Sequence, residues 1–303
     1  MIVGFQPRLL SEKSQPRRRN VFEGVTKCIF EGIEPDTFIL YFKDNHPLNT
    51  VDTQLYAELS GKGVINNRFS EMIYQRLGDL NIDHHLVRRL NMREQIVRIA
   101  ENLPFYVEVY NKACEDFSSR FGLDKHDQLP EMVAELRFKN KNENNPVVAP
   151  QHLVSFGLTD HEELDQLFAT IQRINDFLIG QFSAVNLSLI RYKLEFGRVY
   201  LSENPMDTRL ILIDEISLDT CRVLDNLTDK RLDVYDTTRE DCPDVAGYQE
   251  IARRFGILHD QTVQSSPELN VEVSDSTVDE SAAEDVRVLN VESTTETAEL
   301  INT

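Results

Sequence analysis

Residues Tyr192-Lys193-Leu194-Glu195-Phe196-Gly197 alternate apolar and charged side chains, and the run Leu210-Ile211-Leu212-Ile213 ends abruptly on Asp214-Glu215. Alternation is the period of a strand, so Arg191, Lys193 and Glu195 project from one face while Leu194 and Phe196 project from the other. The second run is apolar on both faces, as a buried strand is. The two can form a hairpin whose acidic ends are adjacent. One small region then holds an ammonium and two carboxylates. Magnesium takes few protein carboxylates and completes its shell from water and phosphate oxygens, so Glu195 and Asp214 are its candidate ligands, with a nucleotide phosphate alongside. A surface hairpin with ordinary salt bridges is the competing reading of such a short pattern.

Other segments give the pattern a setting. Val21 to Phe30 and Thr37 to Phe42 are apolar, β-rich runs separated by Gly32 and Pro35, which predicts a second hairpin. Arg68 to Leu77 and Glu162 to Phe182 carry apolar residues at helical spacing, with Asp160 placed to cap the second. About 260 residues are enough for two lobes with cores of their own.

Several motifs resemble those of the SAICAR synthetase family, in the family's order. The central block is similar to the family's DFKLEFG and DEISPDTCRLWD. Phe22-Glu23-Gly24-Val25-Thr26-Lys27 resembles its YEGKAK, Gly61 to Arg68 its GKGVLNNR, and Arg88 to Gln95 its ERLNMREQ. Asp176-Phe177-Leu178 and Tyr248 to Arg254 resemble its later helices, so the likeness spans roughly residues 18 to 258. It implies a two-lobed α+β fold, an N-terminal antiparallel sheet lobe over a larger α/β lobe, with ATP in the cleft between them. The implied layout is an N-terminal extension (1–17), an ATP-binding lobe (18–104), a catalytic lobe (105–260) and a tail (261–303). The implied chemistry is ATP-dependent activation of a carboxylate, followed by amide formation with an amine, aspartate in the family. By this resemblance Gly24, Lys27, Glu195 and Asp214 bind the ATP, Glu195 and Asp214 hold Mg2+, and Lys193, Asp219 and Arg222 line the reaction centre. On the substrate side the candidates are Arg191, Lys139 and Asn111.

The chain departs from the family where a strongly anionic ribotide acceptor would sit. The family's VVRNIAAGS is met by Val107 to Asp116, which sets Tyr110 in place of an arginine and Glu115-Asp116 in place of Gly-Ser. The family's LDKDRFR is met by Leu232 to Thr238, which removes a lysine and two arginines. A charge-assisted hydrogen bond contributes about 1.5–3 kcal/mol, so losing three costs about 4–9 kcal/mol unless other cations replace them. Arg191, Lys112, Arg137 and Lys139 are the available replacements. Arg191 stands where the family has aspartate, and is expected either to recognise a different carboxylate substrate or to act as counter-ion to Glu115 and Asp116. The readings are therefore the family ligase, a diverged paralogue with another acceptor acid, and a noncatalytic nucleotide-binding or regulatory protein.

His46 and His84-His85 lack zinc-site spacing, and Cys28, Cys114, Cys221 and Cys242 contain no CxxC pair, as expected of reduced thiols. A formal charge of -19 argues against nonspecific nucleic-acid binding. No apolar run has membrane-spanning or signal-peptide length, so a cytoplasmic protein without a membrane partner is expected. Residues 261–303 hold ten acidic residues, one cation (Arg287) and no aromatic, the composition of a disordered tail, which either docks its short apolar pieces on a protein partner or serves only to solubilise the chain. The family resemblance also carries homo-oligomer formation.

Overall fold

The computed structural model describes residues 18–47, 56–202, 204, 207–232 and 245–258. Strands β1 (Asn20–Glu23), β2 (Lys27–Glu31) and β3 (Thr37–Phe42) form two successive antiparallel hairpins, so the run expected from Val21 to Phe30 is broken by a turn at Gly24 to Thr26. A short pair, β4 (Asn45–Pro47) and β5 (Tyr56–Glu58), precedes helix α1 (Lys62–Asp79). Strands β6 (Leu86–Arg89) and β7 (Glu94–Arg98) then complete a sheet in the order β1-β2-β3-β7-β6.

The rest of the chain builds the larger sheet. In order come β8 (Glu101–Asn102), β9 (Phe105–Lys112), α2 (Glu115–Phe121), β10 (Gln128–Phe138), β11 (Val147–Val148), α3 (Pro150–Ser155) and α4 (His161–Ser183). They are followed by β12 (Leu187–Tyr200), β13 (Thr208–Ile213), β14 (Cys221–Asp225), β15 (Lys230–Arg231) and α5 (Ala246–Arg254). The sheet runs β11-β10-β9-β12-β14-β15, with β8 and β13 also on β12. The result is a mixed α+β fold with antiparallel sheets.

Strand β12 organises the site because it serves two sets of neighbours. Its first half lies between β9 and β14, and its second half pairs β13 and β8. The register against β14 shifts between Leu189 and Arg191. Leu187 and Leu189 enter the main core before the shift, and Tyr192, Leu194 and Phe196 enter it after. One extra residue inverts which parity faces inward. Without it, Lys193 and Glu195 would have been aimed into the core.

That core crosses the 104/105 position. Phe69, Ile73 and Leu77 of α1 pack in one cluster with Leu167, Ile171 and Leu178 of α4, Leu194 of β12 and Ile251 of α5. Each such side chain contributes about 1.5–3 kcal/mol by leaving water. Helix α4 begins where its sequence sets it, since the Asp160 carboxylate accepts from the Glu163 N–H at 2.8 Å. Helix α1 begins differently. Gly61 adopts a left-handed φ of 87°, and a Cβ at Gly63 would meet the Phe42 carbonyl oxygen at 2.4 Å, so the two glycines let the helix start press against β3. The expected tail, the N-terminal extension, Cys242 and residues 233–238 lie outside the described residues.

Candidate functional site

A cavity of about 800 Å³ lies between the first sheet and the β9–β12–β13 surface. Gly24, Lys27, Arg191, Lys193, Glu195, Asp214, Asp219 and Arg222 all line it. The hairpin expected from the sequence is present, with Glu195 opposite Ile213, so Asp214 follows directly beyond the paired position. Asp214 turns the chain in the left-handed region at φ 63°, which a short polar side chain tolerates better than most. The Tyr74 hydroxyl supports this turn by donating to the carbonyls of Ile213 at 3.0 Å and Asp214 at 3.2 Å.

Charges at this corner are interlocked. The Lys27 ammonium donates to Asp214 and lies 2.8 Å from Glu215 Oε1. Lys193 donates to Glu195 Oε1 at 2.6 Å and lies 3.4 Å from Asp214 Oδ2. Lys139, just past β10, reaches the other oxygen of Glu195 at 2.8 Å. Burial would favour the neutral amine of Lys27, yet Asp214 and Glu215 push its pKa above the ordinary lysine value; Lys193 follows the same pattern with Asp214 and Glu195. Asp214 is held below the usual carboxylate range by Lys27 and Lys193 despite its burial. For Glu215 burial wins, reinforced by the neighbouring Asp214 and Asp219, and its pKa rises. Burial also brings His85, beside Asp214, down to about 4, so it is neutral at physiological pH.

Opposite this corner the wall carries a different cluster. Arg191 lies directly across the β9–β12 ladder from Tyr110, and Lys193 across from Glu108. Arg191 bonds Glu108 Oε1 at 3.1 Å and its guanidinium lies 5.9 Å from the Tyr110 ring centre. The other Glu108 oxygen is ion-paired with Arg137 and accepts, at 2.9 Å, from the Tyr110 hydroxyl. Arg191 thus has Glu108 as a counter-ion, whereas the side chains of Glu115 and Asp116 lie outside the described residues. Arg137 is tied to Glu108 and Glu135 and does not line the cavity.

Asn111, a substrate-side candidate from the resemblance, is placed off the cavity lining. Odd-numbered Phe105, Val107 and Val109 of β9 face the main core, so strand parity turns Asn111 away from the cavity that Glu108 lines; it is buried and contributes nothing to the lining. Residues not singled out in the sequence also prove central. Glu215 and Glu108 line the cavity, and a fully buried Lys62 pairs with Asp219. Lys62 sits in the Gly61-Lys62-Gly63 motif, where two glycines flanking a lysine were the available signal.

Among the described residues no three His, Cys, Asp or Glu side chains gather as a metal cage. Glu195 and Asp214 nevertheless both bring carboxylate oxygens to one ammonium. Two hard oxygen donors at one point of positive charge, beside a cavity with room for further oxygens, fit magnesium rather than a softer ion. No helix among the described residues is long and apolar enough to cross a membrane. Among the described residues Cys28, Cys114 and Cys221 are buried and form no disulfide.

The sequence model for SAICAR synthetase matches residues 20–255. Phosphoribosylaminoimidazole-succinocarboxamide synthase of Rhodospirillum centenum is 43% identical over 243 residues, covering 80% of this chain and 93% of that protein. The crystal structure of phosphoribosylaminoimidazole-succinocarboxamide synthase from Ehrlichia chaffeensis superposes with a TM-score of 0.73 at 32% identity, covering 80% of this chain and all of the other. A SAICAR synthetase solved in complex with ADP superposes with a TM-score of 0.69 at 28% identity, covering 77% of this chain and 96% of that one.

Proposed function

The chain belongs to the SAICAR synthetase family, and from that premise we propose that it is a cytoplasmic, ATP-dependent carboxylate–amine ligase of purine biosynthesis. In this reaction a carboxylate oxygen of the imidazole ribotide attacks the γ-phosphorus of ATP and ADP leaves. The amine of aspartate then attacks the acyl carbon, phosphate departs, and the amine loses a proton as the amide forms.

The observation that carries the reading is the corner where Lys27 and Lys193 both reach Asp214 while Lys193 also holds Glu195. Phosphoryl transfer develops charge on oxygens, and preorganised cations in a water-poor site stabilise that charge more than solvent does. Lys27 and Lys193 stay protonated through the physiological range because their carboxylate partners outweigh burial. Glu195 and Asp214 would hold a magnesium ion, whose contribution is to neutralise phosphate oxygens as a Lewis acid. Val21, Phe22, Ile29, Phe38, Leu40 and Val97 give the cavity an apolar portion suited to the nucleotide base. Asp219 and Arg222 lie on the wall adjoining this corner, and Arg191 with Lys139 supplies cations toward the acceptor.

Calorimetric titration of the protein with ATP and magnesium tests the nucleotide half. Saturable binding that Asp214→Asn weakens by at least tenfold is expected; heat that is identical in the two proteins would contradict the assignment.

A further inference from the structure

Lys62 is the first residue of α1 and its side chain is completely buried, with Asp219 as its ion-pair partner. Both conditions oppose a lysine. The N-terminal end of a helix carries partial positive charge, and an ammonium taken out of water is costly unless a counter-ion meets it. Asp44 answers the helix end, accepting from the N–H groups of Gly63 at 2.8 Å and Gly61 at 3.2 Å, while Arg93 grips both its oxygens at 2.7 Å. Lys62 is therefore directed elsewhere, into the wall that holds Asp219.

Asp219 is fixed from three directions. Lys62 reaches Oδ2, the Tyr248 hydroxyl of α5 donates to Oδ1 at 2.8 Å, and the Asp219 N–H donates to the Ser217 hydroxyl at 3.1 Å. Lys27 grips the other end of the same short connection at Asp214 and Glu215. Residues 214 to 219 thus run between two lysine anchors, one from β2 and one from α1, and both anchored ends line the cavity.

We propose that Lys62 is a positioning residue for the ligase reaction: its buried ammonium fixes the Asp219 carboxylate, ionised and in place, at the cavity wall. The proposal rests on the ligase reading above. Charged groups facing Asp219 are Lys62 from α1, His46 from β4, and Glu215 and Arg222 from its own segment, with the Tyr248 phenol from α5. Burial alone would raise the pKa of Asp219, and Lys62 is the largest influence lowering it. Removing the ammonium leaves Glu215 as a like-charged neighbour, so the pKa must rise.

The test is steady-state kinetics of full-length Lys62→Met across pH, with phosphate release as the signal and ATP binding followed by calorimetry. The expected result is a kcat lower by about 100-fold, the scale of a misplaced catalytic group, with ATP affinity within threefold of wild type and the acid limb of the kcat profile moved to higher pH. A folded Lys62→Met with wild-type kcat and acid limb overturns the proposal. Should that variant fail to fold, Tyr248→Phe decides: it removes one hydrogen bond to the same carboxylate, and a roughly tenfold fall in kcat with the acid limb moved the same way supports the assignment. An unchanged Tyr248→Phe overturns it. Wild-type protein that releases no phosphate removes the ligase reading itself, an outcome distinct from an active wild type beside an equally active Lys62→Met.

Discussion

At the Lys27 side of the cavity, lysines and carboxylates stand in motifs that match the family, and every one of them contacts another. The Glu108 side is where the motif resemblance implies departures, with Tyr110 in place of an arginine and Arg191 in place of an aspartate. Yet this second side is also interlocked, because Arg191 lies directly across the ladder from Tyr110 and shares Glu108 with Arg137. A cation lost from one strand is met by a cation on the neighbouring strand. Charge counted along the chain therefore overstates what the wall has lost; the register of β9 on β12 is the relevant unit.

If the two sides do separate jobs, variants should separate them. Lys193→Met should have the largest effect, lowering turnover by about 100- to 1,000-fold, as removal of one preorganised electrostatic stabiliser does. Arg191→Met should instead raise the KM for the ribotide by about 10- to 100-fold, the loss of one charge-assisted hydrogen bond, with ATP affinity unchanged by calorimetry. Weakened ATP binding in Arg191→Met would break the division.

A third prediction concerns a pair away from both sides. Arg254 of α5 grips Asp225 of β14 through two hydrogen bonds of 2.9 and 3.0 Å and holds its carboxyl down to about 2. A depressed folded-state pKa means stability that is complete above the unfolded value near 4 and lost as pH falls toward 2. Wild type should lose about 2 kcal/mol in that window, measured by denaturant titration, that Asp225→Asn does not lose. Equal acid sensitivity in the two proteins would contradict the pairing. Lys139→Met should show the smallest effect, a severalfold fall in turnover, since this partly exposed lysine shares Glu195 with Lys193.

Periodicity made much of this arrangement legible. Alternation in β12 put Arg191, Lys193 and Glu195 on one face, the apolar run ending at Asp214 gave the hairpin, and Asp160 marked the start of α4. Parity also accounts for the placement of Asn111 on β9, off the cavity lining. The pairings of Lys62 and Glu108 were not legible because their partners come from topology: Asp219 is 157 residues from Lys62, and Arg191 is 83 from Glu108. Local pattern specifies elements, whereas contacts over such distances exist only once sheets and helices have packed.

The central claim is that the departures at Tyr110 and Arg191 leave an acceptor site that still takes the anionic ribotide. Phosphate release should be measured with ATP, magnesium and aspartate, with and without the carboxylated imidazole ribotide. Release that depends on both ribotide and aspartate is the predicted result; ATP binding without ribotide-dependent release would contradict it.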